Sequence, residues 1–318
     1  MFICDTHNDA LLHLERPMQP LNDENRHISI EKMKQGQVSL LTFAAFTCRR
    51  SGGVSPLHWA LREINGFYDL MEVHKDELMQ AKRPEDVIFA AKNGKMAALL
   101  STEGGDSLEG DANILRLYHK LGVRMFGVTW SNDNELASCC MAKEDHGLTD
   151  FGRECIDLSN ELHMMIDLSH ASDKTFFETV ERSKQPVLCS HSCARALAPD
   201  QPRDMTDEML DVLGKSGGYV GVNLCPIFLL GGEEIKKRKA TLDDVVDHLE
   251  RMGEFAGMDH IGIGSDFDGI ENTPEGLEDV SCLPNLYNAL LRRNWKEEDA
   301  RAVMGENFLS YWTRVLEG

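Results

Sequence analysis

The sequence predicts an α/β fold, a (β/α)8 barrel of the TIM type. Three observations lead to it. Short apolar runs of strand length alternate with amphipathic stretches, as repeated strand–helix units require. The runs are continuous in hydrophobicity, as expected of parallel strands covered on both faces. Five of them end in side chains suited to a metal ion: Ile3-Cys4-Asp5-Thr6-His7-Asn8-Asp9, Ala97 to Glu103, Met165 to His170, Val187 to His191 and Ile261 to Asp266. A closed parallel barrel collects strand ends on one face, where loops build the working surface.

In chain order, strands are expected at 2–6, 38–46, 96–101, 123–130, 164–169, 186–190, 218–224 and 261–266. Helical periodicity falls at 56–80, 84–93, 111–121, 150–163, 172–183, 206–215 and 241–256, with a final helical segment at 284–316. Thr149 before Asp150 and Thr241 before Leu242-Asp243-Asp244 read as helix N-caps, with acids favoured in the first turn by the helix dipole. Pro186 is tolerated at a strand entrance, where its missing donor lies outside the ladder. The long excursions 47–56, 131–149, 225–240 and 267–283 each follow an expected strand, so they should crowd one barrel face. A chain of 318 residues fits one such domain with insertions, spanning 1–318.

Composition narrows the function classes. With 42% hydrophobic and 27% charged residues the chain can bury a large core. A formal net charge of -20 repels phosphate backbones and anionic lipid, so neither nucleic acid nor a membrane is an expected partner. No apolar run reaches membrane-spanning length, and with a strand expected from Phe2 onward no signal peptide is expected. Nine scattered cysteines, with Cys139 and Cys140 adjacent, fit reduced thiols in a cytoplasmic protein. A homodimer is the default assembly.

His7 and Asp9 stand two apart, so an extended segment points both to one side. Glu103 closes a strand before Gly104-Gly105. Its carboxylate can bridge two cations, and the glycines allow close approach of backbone or substrate. His170 and His191 close successive strands, each after a serine, and neighbouring strands ~4.8 Å apart let two imidazoles share one ion. His13, His58, His74, His119, His163, His248 and His260 lack such placement and are assigned to helix faces and loops. Asp266 can take a proton from a water and return it to a leaving amine. Asp268, at an odd offset from the strand, reads as structural or turn-forming. Arg203 offers a planar fork suited to a substrate carboxylate.

These motifs resemble those of the renal or membrane dipeptidases, zinc metallopeptidases of the amidohydrolase-like barrels. The likeness runs through Asp5-Thr6-His7-Asn8-Asp9, Glu103-Gly104-Gly105, Gly147-Leu148-Thr149-Asp150-Phe151-Gly152, Asp167-Leu168-Ser169-His170, Ser190-His191-Ser192 and Gly264-Ser265-Asp266-Phe267-Asp268-Gly269. It continues through Gly276 to Val280 and Leu290 to Trp295. The resemblance implies two zinc ions, one held by His7, Asp9 and Glu103, the other by Glu103, His170 and His191, with Glu103 shared. It also implies Asp266 as the acid/base carboxylate and Arg203 as the binder of the substrate's terminal carboxylate. Many animal members carry a histidine after the fourth strand. This chain has Trp130, so polarising the scissile carbonyl falls to the metals, the indole N–H or Asn132.

The implied reaction is dipeptide hydrolysis by a hydroxide between two zinc ions ~3.5–4 Å apart, with tolerance for a C-terminal D-residue. The same residues could serve an amidohydrolase acting on N-acyl amino acids, lactams or esters. A silent metal-binding scaffold is a third reading, opposed by the intact ligand set.

Overall fold

The computed structural model describes residues 1–47 and 53–317. Part of the excursion expected at 47–56 therefore lies outside the described residues. Nine strands form one parallel sheet: β1 Cys4–Asn8, β2 Leu40–Phe46, β3 Leu78–Gln80, β4 Met96–Glu103, β5 Val123–Gly127, β6 Met165–Asp167, β7 Leu188–Ser192, β8 Tyr219–Val222 and β9 Ile261–Ile263. Eight of them close a ring, because β2 pairs with both β1 and β4 while β9 pairs with β1 and β8. The ring is the expected (β/α)8 barrel.

The ninth strand is a correction. Residues 74–80 were expected to continue a helix, but that helix runs Pro56–Val73 and stops at His74. Leu78–Gln80 then pairs with Met96–Ala98, the lower part of an edge of β4 whose upper part, Leu100–Thr102, pairs with β5. Two short helices were also not anticipated: Ile30–Gln35, capped by the Ser29 side chain, and Pro226–Glu234, inside the expected excursion 225–240. The final segment is three helices, Leu283–Arg292, Glu297–Arg301 and Asn307–Glu317. Asn294 has a φ of 65° after the first, and a wide turn at Ala302–Glu306 precedes the third.

The caps behave as the sequence suggests. Thr149 Oγ1 accepts from Gly152 N at 2.9 Å, and Asp244 accepts from Thr241 N at 2.8 Å. Most of the apolar core lies between the barrel and its helices. A second apolar cluster fills the amino-terminal end of the barrel, where Cys4, Leu40, Met125, Met165, Leu188 and Tyr219 meet Phe308, Tyr311 and Trp312 of the last helix. That end is sealed by packing, so the polar chemistry gathers at the other end. Among the described residues, no helix is long and apolar enough to cross a membrane.

Candidate active site

His7 lies in β1, Glu103 ends β4 and His191 lies in β7, as the strand-end reading requires. His170 stands three residues beyond the end of β6. Asp266 was expected to end the last strand, but β9 stops at Ile263. Asp266 sits in the following turn with φ 63°, a left-handed conformation that Asp tolerates better than most residues. Its amide donates to the His7 carbonyl at 3.2 Å, so the turn is pinned to β1.

These side chains converge. His7 Nε2 lies 3.3 Å from Asp9 Oδ2, and three imidazole Nε2 atoms, of His7, His170 and His191, lie 3.8, 2.9 and 3.6 Å from Glu103 Oε1. His170 and His191 bring their Nε2 atoms to 3.1 Å, and the rings of His7 and His191 stack at 3.7 Å. His7, Asp9, Glu103, His170 and His191 are buried, and Asp266 is partly buried. Ligand atoms of three groups fall within 4.8 Å of one another: His7, Asp9 and Glu103; Glu103, His170 and His191; and His7, His191 and Asp266.

The electrostatics explain why such a cluster suits cations. Burial alone would depress the His7 pKa, but the Glu103 and Asp9 carboxylates outweigh it and raise it to about 10. Burial, reinforced by Asp9, pushes Glu103 well above the carboxylate range. Burial and the nearby charges of Arg203 and His7 hold His170 and His191 well below the usual histidine value, the neutral form that can ligate. Two polar atoms, His7 Nε2 and Asp9 Oδ1, are buried without a hydrogen-bond partner among the described residues. Orphaned buried ligand atoms facing shared acid groups cost folding free energy unless a cation joins them. The residues present therefore fit divalent metal binding.

Supporting side chains hold the cluster in place. His191 Nδ1 meets Ser190 Oγ at 2.8 Å, and Ser190 Oγ donates to Asp167 Oδ2 at 2.5 Å. His170 Nδ1 meets Ser131 Oγ at 3.0 Å. With its proton given to Asp167, Ser190 Oγ accepts from His191 Nδ1 and fixes the tautomer that leaves Nε2 for a metal, while Ser131 orients the His170 ring. Asp5 ties β1 to the last loop by accepting from Ser265 N at 2.8 Å and Ser265 Oγ at 2.5 Å. Gly269 is required on steric grounds: a Cβ there would come within 2.1 Å of Asp9 Oδ2 and 2.4 Å of Asp266 Oδ1. Gly105 is required for a reason the sequence left open, since its Cβ would lie 2.7 Å from the Val128 carbonyl oxygen.

Asp266 is oriented by a residue that sequence reasoning missed. Asn223 Nδ2 donates to Asp266 Oδ2 at 2.9 Å. Asn223 follows β8 directly, and only the barrel's register brings it there. Burial pushes the Asp266 carboxyl up to about 7. Asp268 has a structural role: it sits in the turn with φ 65°, and its carboxylate accepts from His27 N at 2.8 Å.

Arg203 is buried beside the cluster, with Nη2 donating to the His191 carbonyl at 2.7 Å and its guanidinium carbon 5.6 Å from the Phe228 ring centroid. Its Nε has no partner among the described residues. Trp130 stands at the rim, 37% exposed, edge-on to Phe46 and 6.2 Å from the His170 ring. Asn132 donates to Asp106 Oδ1 at 3.2 Å and to the Asp133 carbonyl at 3.1 Å, so its amide is already engaged.

Comparison with known proteins follows the same line. The family model described as membrane dipeptidase, peptidase family M19, matches residues 1–317. The chain belongs to this family. It is 31% identical to dipeptidase tcpJ of Claviceps purpurea, over 96% of this chain and 75% of that protein. It is 34% identical to an uncharacterised dipeptidase of Schizosaccharomyces pombe, over 98% and 80%. A metallopeptidase from Rhodobacter sphaeroides, solved with a phosphinate mimic of the dipeptide L-Ala-D-Ala, superposes with a TM-score of 0.91 at 26% identity, covering 99% of each chain. The M19 dipeptidase AC superposes with the same TM-score of 0.91 at 27% identity, over 100% of this chain and 99% of that one. This M19 chain is accordingly a hydrolase, a dipeptidase of the metallopeptidase class, with a metal as cofactor.

Proposed function

We propose that the protein is a zinc dipeptidase with two zinc ions per chain, hydrolysing short dipeptides that include those with a C-terminal D-residue. One observation carries the reading: a single carboxylate oxygen, Glu103 Oε1, lies within 4 Å of three imidazole nitrogens contributed by different strand ends. His7, Asp9 and Glu103 would hold one ion, and Glu103, His170 and His191 the other. When bound, the pair supplies an acidified water and Lewis acidity for the scissile carbonyl.

The chain's own groups do the rest. Asp266 takes a proton from the attacking water and passes it to the departing amine, while Asn223 holds one of its oxygens and leaves the other for that exchange. A cation nearby lowers the Asp266 pKa below its metal-free value and keeps it ionised as a base. Arg203 receives the substrate's free carboxylate, which limits the enzyme to short peptides. Trp130 walls the mouth and presents an indole N–H. Asn132, engaged with Asp106, orders that wall rather than polarising the carbonyl. The Rhodobacter relative solved with an L-Ala-D-Ala mimic supports D-residue tolerance.

We also place the protein in the cytoplasm as one domain over 1–318, acting on dipeptides and not on nucleic acid or membrane, and assembled as a homodimer. The free thiols among its described cysteines suit a reducing compartment. Exhaustive chelation should abolish hydrolysis of L-Ala-L-Ala and L-Ala-D-Ala, and zinc should restore both. Turnover that survives complete metal removal would contradict the proposal.

A further inference from the structure

His248, which sequence periodicity assigns to a helix face, is 1% exposed in the helix Leu242–Ala256 and makes two defined contacts. Its Nδ1 accepts from Ala194 N at 3.0 Å, and its Nε2 lies 3.0 Å from the Leu229 carbonyl oxygen. A backbone amide can only donate and a carbonyl can only accept. The ring is therefore the neutral tautomer with its proton on Nε2.

The two contacts belong to different loops of the mouth. Ala194 opens the turn after β7, which closes on itself through Met205 N to the Cys193 carbonyl at 2.9 Å and Arg195 N to the Met205 carbonyl at 2.7 Å. Arg203 lies inside that turn. Leu229 follows Phe228 on the helix Pro226–Glu234, and Phe228 is the ring beneath the Arg203 guanidinium. Asp200 makes a second tie between the same two loops by accepting from Gly232 N at 2.7 Å, but at an exposed position. The buried tie is His248.

We propose that His248 is a positioning residue for the substrate's carboxylate: by joining the turn that carries Arg203 to the helix that carries Phe228, it sets where the guanidinium points. The proposal rests on the reading of Arg203 given above. A misplaced guanidinium weakens substrate binding while leaving Glu103, the imidazoles and Asp266 held by their own strands and turns. The effect belongs in KM rather than in kcat.

The test uses the zinc-loaded enzyme and compares a free-acid dipeptide with its C-terminal amide. His248→Ala removes both bonds. His248→Asn places an oxygen where Nδ1 stood and keeps the Ala194 contact, whereas His248→Gln places a nitrogen where Nε2 stood and keeps the Leu229 contact. Those two variants keep one tie each, so they remain measurable should the alanine variant not fold. His248→Ala should raise KM for the free acid about tenfold, with kcat within about twofold, and should leave the amide's KM unmoved. Asn and Gln should fall between alanine and wild type. An unchanged free-acid KM in zinc-replete His248→Ala overturns the proposal, as does a parallel loss of kcat that neither Asn nor Gln relieves. Arg203→Met is run beside it. If that variant raises the free-acid KM and His248→Ala does not, only the role of His248 fails. If Arg203→Met leaves KM unchanged, the carboxylate reading fails and takes this proposal with it.

Discussion

The two ends of the barrel both bury side chains and are chemically opposite. At the amino-terminal end Tyr219 packs against Phe308 at 5.3 Å, and Phe308 against Trp312 at 6.1 Å, within an apolar cluster. At the carboxyl-terminal end the same strands carry His7, Glu103 and His191 into mutual contact, and His7 Nε2 and Asp9 Oδ1 lack hydrogen-bond partners among the described residues. Burial at the floor stabilises the fold. Burial at the mouth raises the free energy of the metal-free protein, and a cation recovers it. Substitutions at the two ends should therefore separate stability from activity.

The largest effect is expected at the mouth. Glu103→Ala should lower kcat about 10⁴-fold or more and strip bound metal, as assays of turnover and metal content would register. Next, Asp266→Asn should cut kcat by about 10²–10⁴-fold while metal content stays at the wild-type level. Retained turnover would remove Asp266 from proton transfer. The floor should answer in the opposite way. Trp312→Ala should cost ~3–5 kcal/mol in denaturant unfolding, with kcat per folded molecule unchanged. A loss of kcat there would mean the two ends are mechanically coupled.

A smaller effect concerns pH. In the metal-free protein His7 titrates at about 10 and Asp266 at about 7, both above their ordinary values. Through these two groups the folded state binds more protons than the unfolded state, so their contribution to stability falls as pH rises, while the depressed His170 and His191 act with the opposite sign below about 6.5. The His7 contribution is full below its unfolded value of about 6.5 and is lost as pH passes about 10. The Asp266 contribution is full below its ordinary value near 3.8 and is lost as pH passes about 7. Thermal melts of the chelated protein should therefore decline from pH 7 to pH 10, where the His7 contribution is being lost and His170 and His191 no longer differ between the two states, and zinc should reverse the slope. Zinc binding at pH 7 should also release protons, measurable by calorimetry in buffers of different ionisation enthalpy.

Much of this contrast was legible in the sequence. Apolar runs ending in His7, Glu103, His170 and His191 marked both the strands and the site, because parallel strands read as continuous hydrophobic segments and their carboxyl ends share a face. What failed was short or set by register. Leu78–Gln80 is a three-residue strand that borrows part of an edge of β4, so it has too few residues to show a period. The helix Pro226–Glu234 is strongly apolar and bent at Gly231, with no clean polar face to reveal it. Asp266 read as a strand end because Gly264 and Ser265 continue the run, yet its left-handed backbone places it in a turn. Asn223, Phe228 and His248 act through contacts with residues far along the chain, which no local pattern announces.

The central claim is that strand ends far apart in sequence enclose two cations sharing Glu103. Anomalous diffraction at the zinc edge, from crystals of the zinc-loaded protein, tests it most directly. Two peaks per chain, one beside His7 and Asp9 and one beside His170 and His191, with the Glu103 carboxylate between them, are the predicted result. A single peak, or peaks remote from Glu103, would contradict it.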